Sequence, residues 1–178
     1  RKYISALEKE GKSKKQLSFA GIRATRTNAQ FMMQFFGKEA NDSLPLNMKS
    51  IKSNLKKNNI VICGALRFTE NSTSDSTAAS LAHFLKSPFV NLTNVKGLYT
   101  SDPKTNKNAK FIPKISWKDF EALALKIKYK AGQHFVLDQK ASSLIKMHKI
   151  PTYIIGKNIS NLEKILKNKP FQGTMIQG

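Results

Sequence analysis

Short apolar runs that alternate with amphipathic stretches of about ten residues or more predict an α/β fold, a three-layer αβα sandwich around a mostly parallel sheet. Two further observations point the same way. The runs at 60–63, 89–92 and 152–155 are separated by segments long enough for helical crossovers, and such crossovers are right-handed, which puts helices on both faces of the sheet. The chain has 178 residues, 40% of them hydrophobic, enough for one domain with a substantial core or for most of a larger one. One domain is expected, with two parts, over about 1–87 and about 88–178.

Residues 2–10 read as the end of a helix, followed by a polar loop around Gly11. A second helix is expected to begin near Thr25, because Ala29, Met32, Met33 and Phe36 recur at three- and four-residue steps, and Gly37 supplies its stop. A weaker helix over 47–57 leads into a strand over 60–63, which Gly64 ends. Polar residues 66–74 then give way to a helix opened by Asp75, Ser76, Thr77, Ala78 and Ala79. A strand follows Pro88 over 89–92, and a long loop through Asp102 and Pro103 reaches Phe111. Ser116 and Asp119 have capping-box-like spacing for a helix over 117–128. A helix over 138–147, a strand over 152–155 and a helix over 160–167 complete the alternation, and 173–177 is expected to add an edge strand.

The charge excludes less than it suggests. Against 11 Asp plus Glu stand 31 Lys plus Arg, a formal +20. Nearly all are lysines spread along the chain among asparagines, whereas a nucleic-acid stripe favours clustered arginine with stacking aromatics. A solvated basic surface is expected, and nucleic acid is not expected as a partner. Cys63 is the only cysteine and lies in an apolar run, as a buried strand residue would. His83, His134 and His148 share no ligand spacing with it or with acidic pairs, so any metal should arrive with a nucleotide. No apolar run has the length to cross a bilayer, and a cytoplasmic protein is expected. The chain opens at Arg1 without an initiator methionine, consistent with a fragment or a processed product.

In open α/β sheets ligands bind beyond the carboxyl ends of strands, here after Cys63 and after Leu92. The first loop offers Thr69, Asn71, Ser72, Thr73 and Ser74 before a helix N-terminus, where unpaired N–H groups and the helix dipole favour phosphate. Asp75 there can cap the helix or position a lysine near a transferring phosphoryl group. The second loop, with Thr93, Asn94, Gly97, Tyr99 and Asp102, can cover a nucleotide, though taken alone it is a polar loop.

The run Thr93, Asn94, Val95, Lys96, Gly97, Leu98, Tyr99, Thr100, Ser101, Asp102, Pro103 resembles the nucleotide-loop signature of the amino acid kinase family, T(N/D)VDGVYTxDP. Upstream, Ser74, Asp75, Ser76, Thr77, Ala78 and Ala79 resemble that family's TTDxxAA helix start. Arg1, Lys2, Tyr3 and Ile4 are similar to the ARKYI segment of its archaeal-type uridylate kinase branch, and the stretch from Gly21 to Asn28 is similar to GIxATRxNA. Lys130, Ala131, Gly132, Val136 and Asp138 resemble KAGxxxVID, and Gly173 with Thr174 resembles the closing GT strand.

This resemblance implies transfer of the γ-phosphoryl of ATP to UMP, with magnesium, in pyrimidine nucleotide biosynthesis. It implies ATP contacts from Thr93, Asn94, Tyr99, Asp102 and Arg1. It implies UMP contacts from Phe68, Thr69, Glu70, Asn71, Ser72, Thr73 and Ser74, with Ser18 where an acidic, ribose-binding residue is usual. Asp75 would organise the catalytic lysine. A homo-oligomer is implied, a hexamer assembled from dimers packed through the helix carrying Met32 and Met33. Three departures stand out: Glu70 beside a phosphate, Ser18, and Lys96 in place of Asp. The family's first strand with its GGS turn and lysine, and its GGG loop, would precede Arg1, so the chain as given is expected not to turn over. Two other readings are a kinase of another small phosphoacceptor, such as isopentenyl phosphate, and a non-catalytic polyanion-binding module. The kinase reading requires the turns headed by Asp75 and Thr93 to share one rim of the sheet.

Overall fold

The structure, a computed structural model, describes residues 2–68, 72–126 and 136–178. The chain divides into two compact units, Arg1–Ser72 and Thr73–Gly178.

The first unit is mainly helical. Helix α1 (Lys2–Lys9) packs on α2 (Lys14–Phe36), where Gly21 faces Ile4. The expected start of α2 near Thr25 is corrected: the helix begins eleven residues earlier. Ser13 caps it, accepting from the Gln16 N–H while the Gln16 side chain accepts from the Ser13 N–H, a capping box that apolar periodicity does not reveal. Gly37 ends the helix at φ 54°, and a 3-10 turn, Gly37–Glu39, and helix α3 (Met48–Asn54) follow.

The expected strand over 60–63 is also corrected, since only one bridge forms there, between Ala40 and Ile60. A side chain replaces the neighbouring strand. The Asn41 amide, 2% exposed, accepts from the Ile62 N–H at 2.6 Å and donates to the Ile62 carbonyl at 3.1 Å, as a peptide group would.

In the second unit the elements are α4 (Ser74–Leu85), β1 (Phe89–Thr93), β2 (Leu98–Tyr99), β3 (Phe111–Ile112), β4 (Lys114–Ile115), α5 (Trp117–Lys126), α6 (Gln139–Met147), β5 (Thr152–Gly156), α7 (Ile159–Leu166) and β6 (Thr174–Ile176). The sheet order is β1-β5-β6-β4. Two of its pairings are parallel, β1 with β5 and β4 with β6, while β5 and β6 run antiparallel. The mostly parallel sheet is therefore present, but β6 is an inner strand and not the edge strand expected. Its Thr174 and Ile176 are fully buried, which an edge position would not allow. The expected long loop before Phe111 is a hairpin of β2 and β3.

The core of this unit joins Ala79 and Ala82 of α4, Phe120 of α5, and Ala141 and Ile145 of α6 to Ile154 and Ile176 on one face of the sheet. Ile155 is equally buried on the opposite face, and α7 packs on β5. Among the described residues no helix is long and apolar enough to cross a membrane.

Candidate active site

Helix α4 is joined to β1 by a short turn, in which Lys86 adopts φ 53°. Within this unit the start of α4 and strand β1 are both tied to the approach to α6, through Thr73 to Asp138 and through Asn91 to the Val136 carbonyl.

The local chemistry at the start of α4 centres on two carboxylates. Thr73, not Asp75, caps α4: its Oγ1 accepts from the Ser76 N–H at 3.0 Å, and the Ser76 hydroxyl completes the capping box. The capping alternative for Asp75 is thereby corrected, because the cap position lies two residues earlier and Asp75 belongs to the first turn. Asp138 caps α6 through the Ala141 N–H at 2.8 Å, and its other oxygen accepts a short hydrogen bond from the Thr73 hydroxyl. Two helix N-termini are thus tied together. Asn91 of β1 holds the approach to α6 by donating to the Val136 carbonyl at 2.7 Å.

Burial pushes the Asp75 carboxyl above its ordinary range, and the neighbouring Asp138 charge pushes it the same way. A hydrogen bond from the Asp138 backbone opposes both. A carboxylate placed so has reason to take a cationic partner.

The turn at Gly97 and the hairpin that follows are built by close contact. A Cβ on Gly97 would stand 2.7 Å from Thr174 Oγ1 and 2.9 Å from the Phe111 ring, so only glycine lets the chain pass there. Next to it, the Leu98 N–H donates to Thr174 Oγ1 at 2.8 Å, and the same hydroxyl donates to the Ile112 carbonyl. Tyr99 lies in β2 with its ring edge-on to Phe111 at 5.4 Å. Asp102 organises the hairpin tip, where its Oδ1 accepts the Lys104 N–H at 2.9 Å and its carbonyl accepts from the Asn106 N–H. Thr93 ends β1, and Asn94 lines a cleft of about 380 Å³ beyond the ends of β1 and β5.

The acceptor-side residues fall in both units. In the first, Ser18 is exposed on α2 with its hydroxyl returned to the Lys14 carbonyl at 3.0 Å, while the adjacent Phe19 ring meets Phe68 at 5.2 Å. The segment leading to Phe68 is clamped to α2. Thr25 Oγ1 accepts from the Ala65 N–H at 3.0 Å, and Arg26 donates to the carbonyls of Ala65 and Leu66 at 2.9 and 2.8 Å. Ser72 closes the first unit, while Thr73 and Ser74 open the second. Arg1, Thr69, Glu70 and Asn71, together with Lys130, Ala131 and Gly132 of the KAG segment, lie outside the described residues.

Sequence reasoning left Asp138 and Asn91 out of the site. The usable signal for Asp138 was its place at the start of a helix, which marks a cap and the direction of a helix dipole.

The family model for the amino acid kinase family matches residues 1–156. The chain belongs to the amino acid kinase family. Similar members include the uridylate kinase of Archaeoglobus fulgidus, 32% identical over 177 residues, which are 99% of this chain and 79% of that protein. The uridylate kinase of Thermococcus kodakarensis is 32% identical over 179 residues, 99% of this chain and 78% of that protein. The crystal structure of the Archaeoglobus fulgidus enzyme superimposes with a TM-score of 0.87 at 30% identity, covering 99% of this chain and 78% of that one. UMP kinase from Ureaplasma parvum, at 21% identity and a TM-score of 0.75 over 98% of this chain, shares the fold.

Proposed function

We propose that this chain is a uridylate kinase that moves the γ-phosphoryl of ATP to a phosphate oxygen of UMP, giving UDP and ADP, in the cytoplasm. The observation that carries the proposal is identity of 32% with a uridylate kinase along 99% of the chain. In this reading Thr93, Asn94, Tyr99, Asp102 and Arg1 contact ATP. Phe68, Thr69, Glu70, Asn71, Ser72, Thr73 and Ser74, with Ser18, contact UMP. Asp75 organises a lysine.

Phosphoryl transfer asks a protein to position two anions and neutralise developing charge, more than to form covalent bonds. The N-termini of α4 and α6 supply dipoles and N–H donors, and an ammonium neighbour would offset the burial and the Asp138 charge that disfavour the ionised Asp75 carboxylate. Magnesium would be carried on the ATP phosphates, completing its shell with water and at most one or two carboxylates.

We also assign a homo-oligomer. On α2, Met33 is buried within its own unit, whereas Phe31 and Phe35 are 69% and 74% exposed one turn apart and offer the apolar contact.

The test is UDP formation from ATP and UMP by the full gene product that carries this sequence, run beside CMP and isopentenyl phosphate as acceptors. UMP should be preferred. Consumption of ATP with isopentenyl phosphate alone would sink the acceptor assignment.

A further inference from the structure

The cleft beyond β1 and β5 lies wholly within the second unit and is lined by the turn 94–96, the turn 156–158, Asn161 and Gln172. Its lining has two cations and no carboxylate. Lys96 and Lys157 are both exposed at its mouth, and among the described residues neither ammonium is paired with an acidic group.

The two turns are held together by backbone contact. A Cβ at Gly156 would stand 3.2 Å from the Val95 carbonyl oxygen and 3.6 Å from Lys96 Cα, so glycine there brings the Lys96 and Lys157 turns against each other. The remaining lining is rich in amide donors. Asn158 spends its Oδ1 on the Ser160 N–H at 2.9 Å as the cap of α7, which leaves its NH₂ group to the cleft. Asn161 is only 5% exposed, and its Oδ1 accepts from the Gln172 N–H at 3.1 Å. No buried side-chain donor among the described residues lacks a partner, and Asn161 is part of the cleft lining. The N-terminus of α7 adds its dipole at the same place.

We propose that this cleft is a binding site for a phosphate-bearing anion, with Lys96 and Lys157 as its cationic pair and the amides of Asn158 and Asn161 as its donors. Lysine is a compact, strongly hydrated charge suited to phosphate, and neutral amide donors accept any phosphate oxygen without adding repulsion. Asn94 is shared with the ATP contacts assigned above. The anion is therefore either part of a bound nucleotide or a separate phosphate-bearing molecule, and the two sources can be told apart.

The experiment is calorimetric titration of the chain with sodium tripolyphosphate and, separately, with ATP at fixed magnesium and ionic strength. Wild type is compared with Lys96→Gln, Lys157→Gln and the control Lys118→Gln, an exposed lysine of α5. Saturable tripolyphosphate binding is expected, weakened roughly 5- to 10-fold by each cleft variant and unchanged by the control. If ATP weakens in parallel, the cleft holds the phosphates of the nucleotide; if ATP is unaffected, it holds a separate anion, and either result upholds the site. Equal binding by wild type and both cleft variants overturns it, as does equal weakening in Lys118→Gln, which would mean attraction to the general positive charge. The kinase reading is judged separately by UDP formation, and its failure leaves the tripolyphosphate result standing.

Discussion

Asp75 connects the chemistry of single groups to the proposed reaction. Its pKa is raised above the ordinary 3.8, so the folded chain holds the proton more tightly than the unfolded chain does. The sign follows: the associated stability is fully present below about 3.8 and is lost as pH rises through the folded-state value. Asp75→Asn, which has no charge to bury and can still accept the Asp138 N–H, should be more resistant to urea than wild type at pH 7. That advantage should shrink toward pH 4. The same variant should lower UDP formation about 100-fold or more, the scale of losing an electrostatic group at a reacting centre. Greater stability with unchanged turnover would leave Asp75 a merely buried acid. Thr174 is a second decisive residue, because one fully buried hydroxyl serves both the Leu98 N–H and the Ile112 carbonyl. Thr174→Val keeps the shape and strands both partners, at a cost on the order of 2 kcal/mol, readable as a lowered denaturant midpoint. ATP binding should weaken with it, since the proposed nucleotide loop loses its fastening.

Elements were legible where local signals agree with tertiary use. Helices α4, α6 and α7 and strands β1 and β5 follow directly from capping residues and apolar runs. The failures have particular causes. Helix α2 starts at a polar capping box that carries no apolar period. The run 60–63 has strand composition but finds the Asn41 side chain where a ladder would be. Strands β2, β3 and β4 are two residues each, too short to show any alternation. The segment at 64–66 depends on α2 in a way that a substitution can expose. A Cβ on Gly64 would meet Arg26 Cα at 2.7 Å and Arg26 N at 2.8 Å, both backbone atoms that cannot swing aside. Gly64→Ala should therefore cost about 2 to 3 kcal/mol and loosen the Thr25 and Arg26 clamp, measured by urea unfolding and by faster amide exchange at Ala65.

At the scale of the whole molecule, the formal +20 acts as a field more than as a set of contacts. Affinity for ATP and UMP should fall several-fold between about 0.05 and 0.3 M salt, because screening shortens the reach of the surface lysines. Calorimetry at two salt concentrations checks this, and a salt-independent affinity would confine the electrostatics to the site itself. Oligomerisation makes a separate prediction. Light scattering should give a mass above that of one chain, and Phe31→Ser with Phe35→Ser should lower it, since two large exposed rings on one helix face would lose their apolar contact.

Order along the chain was enough to determine the alternation of strands and helices, the two loop motifs and, through them, the family, because turn chemistry and capping are local requirements written in adjacent residues. Tertiary structure alone decided that β6 lies inside the sheet, that Thr73 and not Asp75 caps α4, that Asp138 joins Asp75, and that Lys96 meets Lys157 across one cleft. Each of these depends on residues far apart in sequence sharing one environment. Burial, and the fields of charges brought together by folding, have no counterpart in the order of residues.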